Sequence, residues 1–374
     1  MKFSQMTQRV GNRFKKRLVP FVNGVYGKLR KLVSGNPIVI TDASDESLAG
    51  LRVFGKSTQD GTPTPDAPVE IMSVENPTVV VCGKNLYSGG DISGVKSSPV
   101  NITTIPKGTY TISANVNSTD EEYEKSLVLF YYVDDSGYTA VSLNHGEKAY
   151  ASVSFDKPIN QIGFYASINA SSSENDNFSF SNIQIEIGDI ATDYEPYTEQ
   201  TLSITRSLHG IPVTSGGNYT DANGQQWICD EVDFERGVYV QRIKQLLMDG
   251  SEPWKLYSNK YIYLTIDDVA LEGGNGFCTC VPYHYSYAGD GIFAIENVIY
   301  LGEVLTQKLN GDITTWTNIL TTNPAKLYYI LTTPIEIPLT TEQIAAYKAL
   351  HANKSNTTIL NDQDAWMEVS YIAK

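Results

Sequence analysis

Between residues 79 and 197 apolar and polar side chains alternate in short runs. Eight of them have strand character: 79–82, 100–103, 109–116, 127–133, 138–143, 149–155, 162–168 and 178–187. They are rich in Val, Ile, Tyr, Phe and Thr, which suit a pleated, half-buried surface. From Tyr110 to Val116 the even positions are apolar and the odd ones polar. From Phe178 to Ile187 the alternation breaks once, at Ser181-Asn182, and resumes on the opposite parity. A one-residue slip swaps sheet faces, so the break predicts a β-bulge. Turn residues separate the runs: Pro106-Lys107-Gly108, Asp134-Asp135-Ser136-Gly137, Asn144-His145-Gly146 and residues 171–177. Short, evenly spaced strands predict an antiparallel sandwich or jelly roll. No helical pattern lies between them, which argues against a parallel α/β sheet.

The flanks read differently. Phe3, Met6, Val10, Phe14, Leu18, Phe21, Val25, Leu29 and Leu32 recur at spacings of three and four, which predicts a helix over residues 1–34 with a heptad-like seam. Pro20 kinks it, and Gly11, Gly24 and Gly27 weaken it, so the helix needs a partner. Three partners fit: a self-associating bundle holding a homotrimer, an acidic socket, or an anionic membrane surface. The first two combined fit a sustained seam best. Phe3, Val10, Phe14, Leu18, Val25 and Leu29 are the expected attachment or oligomerisation residues.

Residues 37–78 read as an extended linker with strands, its three prolines at 63, 65 and 68 opposing regular ladders. Beyond the sandwich, Asp221-Ala222-Asn223-Gly224 marks a hairpin. Residues 257–266 alternate, and Tyr283, Tyr285 and Tyr287 share one face if their stretch is a strand. Those three tyrosines are the candidate ligand-binding residues, as a sugar-stacking row or as a packed subunit interface. Thr340 and Gln343 form a capping box for a helix whose apolar face carries Ile344, Tyr347, Leu350 and His351. A last strand covers 365–372. The expected fold class is mainly β: an N-terminal α-helix over 1–36, linker over 37–78, jelly-roll β-sandwich over 79–198, and a second β-rich C-terminal domain over 199–374 with one short helix.

Charge changes the picture at one end. Of the 28 Lys and Arg, nine fall within residues 1–36, which contain no acid. The rest of the chain holds 19 bases against 42 acids, a net of −23. The basic arm and the acidic body therefore have different partners, and the body is unsuited to broad nucleic-acid contact. No apolar run reaches 18 residues, so no membrane span is expected. No signal peptide is recognisable, and the four scattered cysteines form no disulfide framework; free thiols and assembly in a cytoplasm are expected.

Candidate chemistry is sparse. Gly50-Leu51-Arg52-Val53-Phe54-Gly55-Lys56-Ser57 matches a phosphate-loop spacing, but its bulky middle and the following Thr62-Pro63-Thr64-Pro65 leave no loop to wrap phosphate and no helix to receive it. Cys278-Thr279-Cys280 with His284 lacks the second ligand pair of a zinc site; the two cysteines share a strand face as buried thiols. Four scattered histidines make no triad, and no nucleophile elbow appears. Carboxylates for a glycosidase pair are available but read first as a solvated acidic face. Asp134-Asp135 or residues 174–176 offer oxygens for a structural calcium. No catalytic residue, metal ligand or cofactor is assigned.

Several stretches carry a resemblance. Cys82-Gly83-Lys84-Asn85-Leu86-Tyr87 and the stretch from Ile183 to Tyr197 resemble the borders of carbohydrate-binding-module-like jelly rolls. Such domains are inserted in tail and minor structural proteins of phages and prophages of Gram-positive bacteria. Residues 54–68, the blocks 210–233 and 234–242, and the stretch from Thr333 to the C-terminus resemble the same proteins. The resemblance covers about two thirds of the chain in pieces. It implies a non-enzymatic virion protein assembled in the host cytoplasm, a tail-fibre or receptor-binding component. Its partners would be further copies in a trimer, other virion proteins at the N-terminal helix and a host cell-surface glycan. A fibre or decoration protein without receptor binding, and a polysaccharide-degrading tailspike, are the alternatives.

Overall fold

The computed structural model describes residues 29–34, 37–41, 48–94, 99–118, 126–134, 137–144, 148–168, 178–257, 260–266, 271–284, 287–350 and 357–373. These residues are mainly β, with three helices among them.

A frame of two sheets organises the molecule. The larger has seven strands in the order Leu29–Ser34, Trp366–Ile372, Gly50–Phe54, Glu231–Asp233, Val238–Met248, Ala325–Pro338 and Leu271–Cys278. The smaller orders Glu199–Ser203, Thr78–Cys82, Thr357–Asn361 and Ile38–Ile40. Apolar side chains of the two meet in one core: Val79, Val81, Ile38, Ile40 and Ile359 from the smaller sheet, Leu51, Val53, Val232, Met367 and Val369 from the larger. The helix Thr341–Lys348 closes this core. Its capping box is present, Tyr347 is buried, and the Tyr347 hydroxyl donates to the Leu48 carbonyl.

Leu29–Ser34 corrects the expected N-terminal helix over its last turns. These residues pair antiparallel with the C-terminal strand, Leu29 opposite Ile372 and Ser34 opposite Met367. An open sheet edge offers this segment a ladder of backbone hydrogen bonds, and that tertiary pairing overrides the good helix propensity of Leu29, Arg30, Lys31 and Leu32. Leu29 is thus a strand residue. Phe3, Val10, Phe14, Leu18 and Val25 lie outside the described residues.

Two units interrupt the frame, each through a pair of neighbouring antiparallel strands. The chain leaves at Cys82 and returns at Glu199, which face each other in register. It leaves again at Met248 and returns at Ala325, also partners in register. Each unit is therefore hung on a closed hairpin stem.

The first is a sandwich of eight antiparallel strands. One sheet orders Gly137–Ser142, Ser126–Asp134, Ile159–Ile168 and Val100–Ile105. The other orders Ala149–Phe155, Gly108–Ser118, Phe178–Ile187 and Ile92–Ser93. Tyr110, Ile112, Phe130, Phe155, Phe164 and Phe180 fill the space between them. The expected bulge is present: the register of Phe178–Ile187 shifts between Ser181 and Gln184, and Asn182 takes φ 50°. The run Val79-Val80-Val81-Cys82, read above as the first sandwich strand, belongs to the frame. Val79 and Val81 face the frame core while Val80 and Cys82 face the sandwich core, so the strand is buried on both sides and loses its alternation. Ile92–Ser93 takes its place as the eighth sandwich strand.

The second insertion spans residues 249–324, within which Leu271–Cys278 returns to the frame as its last strand. A four-stranded sheet in the order Lys255–Tyr257, Tyr261–Thr265, Val298–Leu301 and Ile292–Ile295 packs on helices Glu303–Lys308 and Ile313–Thr322. Asp312 caps the second helix by accepting from the Thr314 N–H at 2.9 Å. Four residues apart, Trp316 and Leu320 are both fully buried, and Trp316 meets Trp254 edge-on at 5.7 Å.

The stretch from Gly55 to Ser57 is structural. Gly55 and Gly210 let two backbones touch: a Cβ on Gly55 would lie 2.4 Å from the Leu208 carbonyl carbon, and one on Gly210 would lie 2.5 Å from the Gly55 oxygen. Lys56 reaches Asp364 at 2.6 Å over the Trp366 ring, and the Ser57 hydroxyl accepts from Gly210 N–H at 3.2 Å.

Candidate functional site: a tyrosine cluster

The outer face of the 255–301 sheet gathers aromatic rings. Alternation dictates which ones. Ile262, Leu264, Ile299, Leu301, Ile292 and Ala294 point into the core, so Tyr261, Tyr263, Tyr300 and Phe293 point away from it. Strand register then sets Lys255, Tyr263, Tyr300 and Phe293 side by side in one row, with Tyr257 beside Tyr261 in the next.

The rings stand like slats. Tyr300 stacks on Phe293 at 5.2 Å and 16°, and Tyr263 leans on Tyr300 at 6.1 Å and 32°. Tyr287 lies across them. Its ring meets Phe293 at 4.9 Å and 78°, Tyr300 at 5.5 Å and 63°, and Tyr261 at 5.5 Å and 68°. Edge-to-face contact of this kind fixes ring orientation. Phe293 beneath is 1% exposed, whereas Tyr287 remains 45% exposed and Tyr257 61%.

The loop carrying Tyr287 is held by backbone hydrogen bonds. The Glu303 N–H donates to the Tyr287 carbonyl at 2.7 Å, and the Val304 N–H to the Gly289 carbonyl at 3.2 Å. Across the sheet, Glu296 and Asn297 turn the hairpin between Ile292–Ile295 and Val298–Leu301 with φ of 44° and 64°. Two left-handed residues are what a tight hairpin turn asks for, and Glu is a poor choice for one of them. The Tyr300 phenol is pushed above its ordinary pKa, first by burial and then by its neighbours Tyr287, Tyr263, Glu296 and Tyr257. The cluster thus presents phenols with Tyr257 and Tyr287 exposed, an amphipathic surface.

Of the three tyrosines expected to share a strand face, two are described: Tyr287 joins the cluster and Tyr283 does not. Neither lies in a strand: Tyr283 makes a single bridge with Ile292, and Tyr287 sits in a turn. The Tyr283 ring fills the space over Gly276, where a Cβ would meet it at 2.6 Å. Its hydroxyl oxygen accepts from the Ala294 N–H at 3.2 Å, and burial pushes its pKa up to about 12. Tyr285 lies outside the described residues. Tyr257, Tyr261, Tyr263 and Tyr300 were missed as site residues, although the alternation over 257–266 carried the signal for three of them.

The sandwich contrasts with this open face. Over the outer side of its Phe178–Ile187 sheet runs the segment 188–197, pinned by charged and amide groups. Glu186 accepts from the Thr192 N–H at 2.8 Å, the Thr192 hydroxyl at 2.6 Å and Gln184 Nε2 at 2.9 Å. Asn85 donates to the Ile183 and Glu195 carbonyls, both at 3.0 Å, and accepts from the N–H groups of Tyr87 and Ile185. Lys84 reaches Glu195 at 3.1 Å and Lys148 the Thr192 carbonyl at 2.8 Å. The two border motifs of the sandwich therefore act as one latch. Where the sandwich meets the frame, a cleft of about 380 Å³ is lined by polar residues including Lys107, Asp156, Lys157, Asp362 and Asp364, with no aromatic ring.

Cys278 and Cys280 are both buried thiols with sulfurs 3.6 Å apart. Among the described residues no helix is long and apolar enough to cross a membrane. Comparison with protein-family models, with curated proteins and with solved structures finds no match for this chain.

Proposed function

We propose that the chain is a non-enzymatic structural component of a bacteriophage particle. In this reading a β-frame displays two units outward, and the particle attaches through them to its host's surface. One observation carries the reading. Three of the segments that resemble phage tail and minor structural proteins contribute strands to a single sheet, where Val238–Met248 lies between Glu231–Asp233 and Ala325–Pro338, and Gly50–Phe54, ending where the 54–68 segment begins, joins Glu231–Asp233 to Trp366–Ile372. The signature is thus one physical unit, and the two hairpin-stemmed insertions are what it carries. The jelly-roll reading of the first is supported by strand order: each sheet pairs its two earliest and latest strands, Ile92–Ser93 with Phe178–Ile187 and Val100–Ile105 with Ile159–Ile168. The basic segment before Leu29, with Phe3, Val10, Phe14, Leu18 and Val25, serves in this reading as the mount and trimer seam. Several weak contacts per particle then multiply into firm attachment.

The test is particle purification from the phage-producing strain that encodes the chain, followed by mass spectrometry and an adsorption assay. The reading expects the chain in particles, and soluble full chain slowing adsorption. Absence from particles contradicts it. Presence without competition favours a fibre or decoration protein without a receptor role.

A further inference from the structure

We propose that Cys278 and Cys280 form a peroxide-sensitive clasp: hydrogen peroxide closes them into a disulfide in the folded chain, and a dithiol reopens it. The inference is independent of the attachment reading.

Three observations lead to it. The sulfurs already touch. Cys278 ends the strand Leu271–Cys278, and the chain bends at Thr279 and Cys280. In a straight strand, Cα atoms two residues apart are separated by about 6.6 Å, near the upper limit that a disulfide spans; a bend shortens that distance. One thiol donates to the other across 3.6 Å.

Burial then selects the oxidant. Cys278 is 0% exposed and Cys280 2%, so a bulky disulfide such as oxidised glutathione reaches neither sulfur, whereas hydrogen peroxide is little larger than water. Cys82 and Cys229 are buried too, but in two other cores, and neither has a second sulfur to close with.

The bend is also a junction. Gln59 Nε2 donates to the Cys278 carbonyl at 2.9 Å, and the Val69 N–H to the Thr279 carbonyl at 2.8 Å. On the frame side, the Thr279 N–H donates to the Lys326 carbonyl and the Lys326 N–H to the Thr279 hydroxyl, both at 3.0 Å. Segment 59–69, the strand Ala325–Pro338 and the second insertion are thus joined at three residues. Opening the bend frees the Val69 N–H, and a bond between Cys278 and Cys280 opposes that opening.

Cys278 is the attacking sulfur. Burial raises its pKa, but the Cys280 S–H and the backbone N–H groups of Cys280 and Val281 outweigh burial and hold it below its ordinary value. The same sulfur–sulfur hydrogen bond, with burial, holds the Cys280 thiol well above its own. The Cys278 thiolate attacks one peroxide oxygen, the O–O bond breaks, and hydroxide leaves and takes up a proton as water. The Cys280 sulfur then attacks the Cys278 sulfenic sulfur. The S–O bond breaks, and the hydroxyl leaves with the Cys280 proton as a second water. Two electrons pass from the sulfurs to peroxide.

The experiment treats the full chain with hydrogen peroxide or with oxidised glutathione, then unfolds, alkylates and maps it by mass spectrometry. With peroxide, the fragment carrying Cys278 and Cys280 should be unlabelled and about 2 Da lighter, and dithiothreitol should restore it. Cys82 and Cys229 should stay alkylatable, and glutathione should leave all four thiols. In Cys280→Ser, Cys278 should accumulate as a sulfenic acid that a cyclic dione traps; in Cys278→Ser, Cys280 should stay a thiol. Oxidation of wild type should slow amide exchange at Val69 about threefold or more. The Val74 N–H, bonded to the Leu208 carbonyl away from the bend, is the unchanged reference. The wild-type map decides even where a variant fails to fold. Four alkylatable thiols after peroxide overturn the inference, as does loss of Cys82 or Cys229 at the same rate. Closure by glutathione as fast as by peroxide overturns selection by burial. Closure without slower exchange at Val69 overturns the clasp.

Discussion

The two insertions are mounted alike and finished differently. Both hang on in-register antiparallel stems, at Cys82–Glu199 and at Met248–Ala325. The sandwich covers one outer face with its own segment 188–197, and Glu186, Gln184 and Asn85 beneath it are each bonded more than once, while the buried Ser113 hydroxyl opposite Gln184 has no partner. On the tyrosine face of the 249–324 unit Tyr257 and Tyr287 stay exposed. A latched polar face is a folding device, because Glu186, Gln184 and Asn85 already spend their hydrogen bonds on the segment and its borders. An aromatic face that keeps exposed rings is suited to contact. Motif-like sequence therefore marks structure in the first unit, whereas unremarkable alternation marks the surface of interest in the second.

Substitutions separate the two. The largest effect is expected from Phe164→Ala. Phe164 is fully buried against Phe130 at 5.7 Å and Phe180 at 4.9 Å, and its loss should cost about 3–5 kcal/mol. Denaturant unfolding followed by near-UV dichroism measures it, and Tyr287 accessibility should not change. If it does, the insertions are not separate in the way their stems indicate.

A pH series probes the frame they share. The Asp230 carboxyl accepts from the N–H groups of Arg242 at 2.7 Å, Ile243 at 2.9 Å and His209 at 3.1 Å, yet burial pushes its pKa up to about 6 against these donors. A raised folded pKa means that the group's contribution is fully present below its unfolded value. It is lost as pH rises through the folded value. The stability of wild type relative to Asp230→Asn should therefore fall by about 2–3 kcal/mol between pH 4 and pH 7. A flat difference would mean that the backbone donors outweigh burial.

Glu186→Ala attacks the latch. It strands the Thr192 N–H and hydroxyl and Gln184, and should cost about 2 kcal/mol. Amide exchange at Thr192 should accelerate while the tyrosine unit keeps its rates. The smallest change is a gain. Glu296→Asn relieves a left-handed glutamate at φ 44° and should stabilise by about 0.5–1 kcal/mol, read as a higher melting temperature of the tyrosine unit alone.

What the sequence made legible follows from how local each signal is. The bulge at Ser181-Asn182, the turn at 221–224 and the capping box at Thr340 are set within a few residues, and each is found. Val79 to Cys82 was placed in the wrong sheet because burial on both faces erases the alternation that identifies a partner. The helix Ile313–Thr322 was hidden by its threonines, β-branched residues with weak helix propensity; packing of Trp316 and Leu320 overrides that preference. Leu29–Ser34 has helical spacing but takes a strand, because the partner edge it pairs with lies at the far end of the chain. The Tyr283-x-Tyr285-x-Tyr287 pattern misled for a similar reason. The hole over Gly276 draws Tyr283 inward, and only tertiary structure reveals that hole.

The most direct test of the contrast is hydroxyl-radical footprinting of the full chain, read residue by residue by mass spectrometry. The account predicts that, among the described residues of the 249–324 unit, Tyr257 and Tyr287 are modified fastest, with Phe293 protected, and that Tyr87 at the sandwich border is protected. Rapid labelling of Tyr87 together with protection of Tyr287 would invert the roles of the two insertions and contradict it.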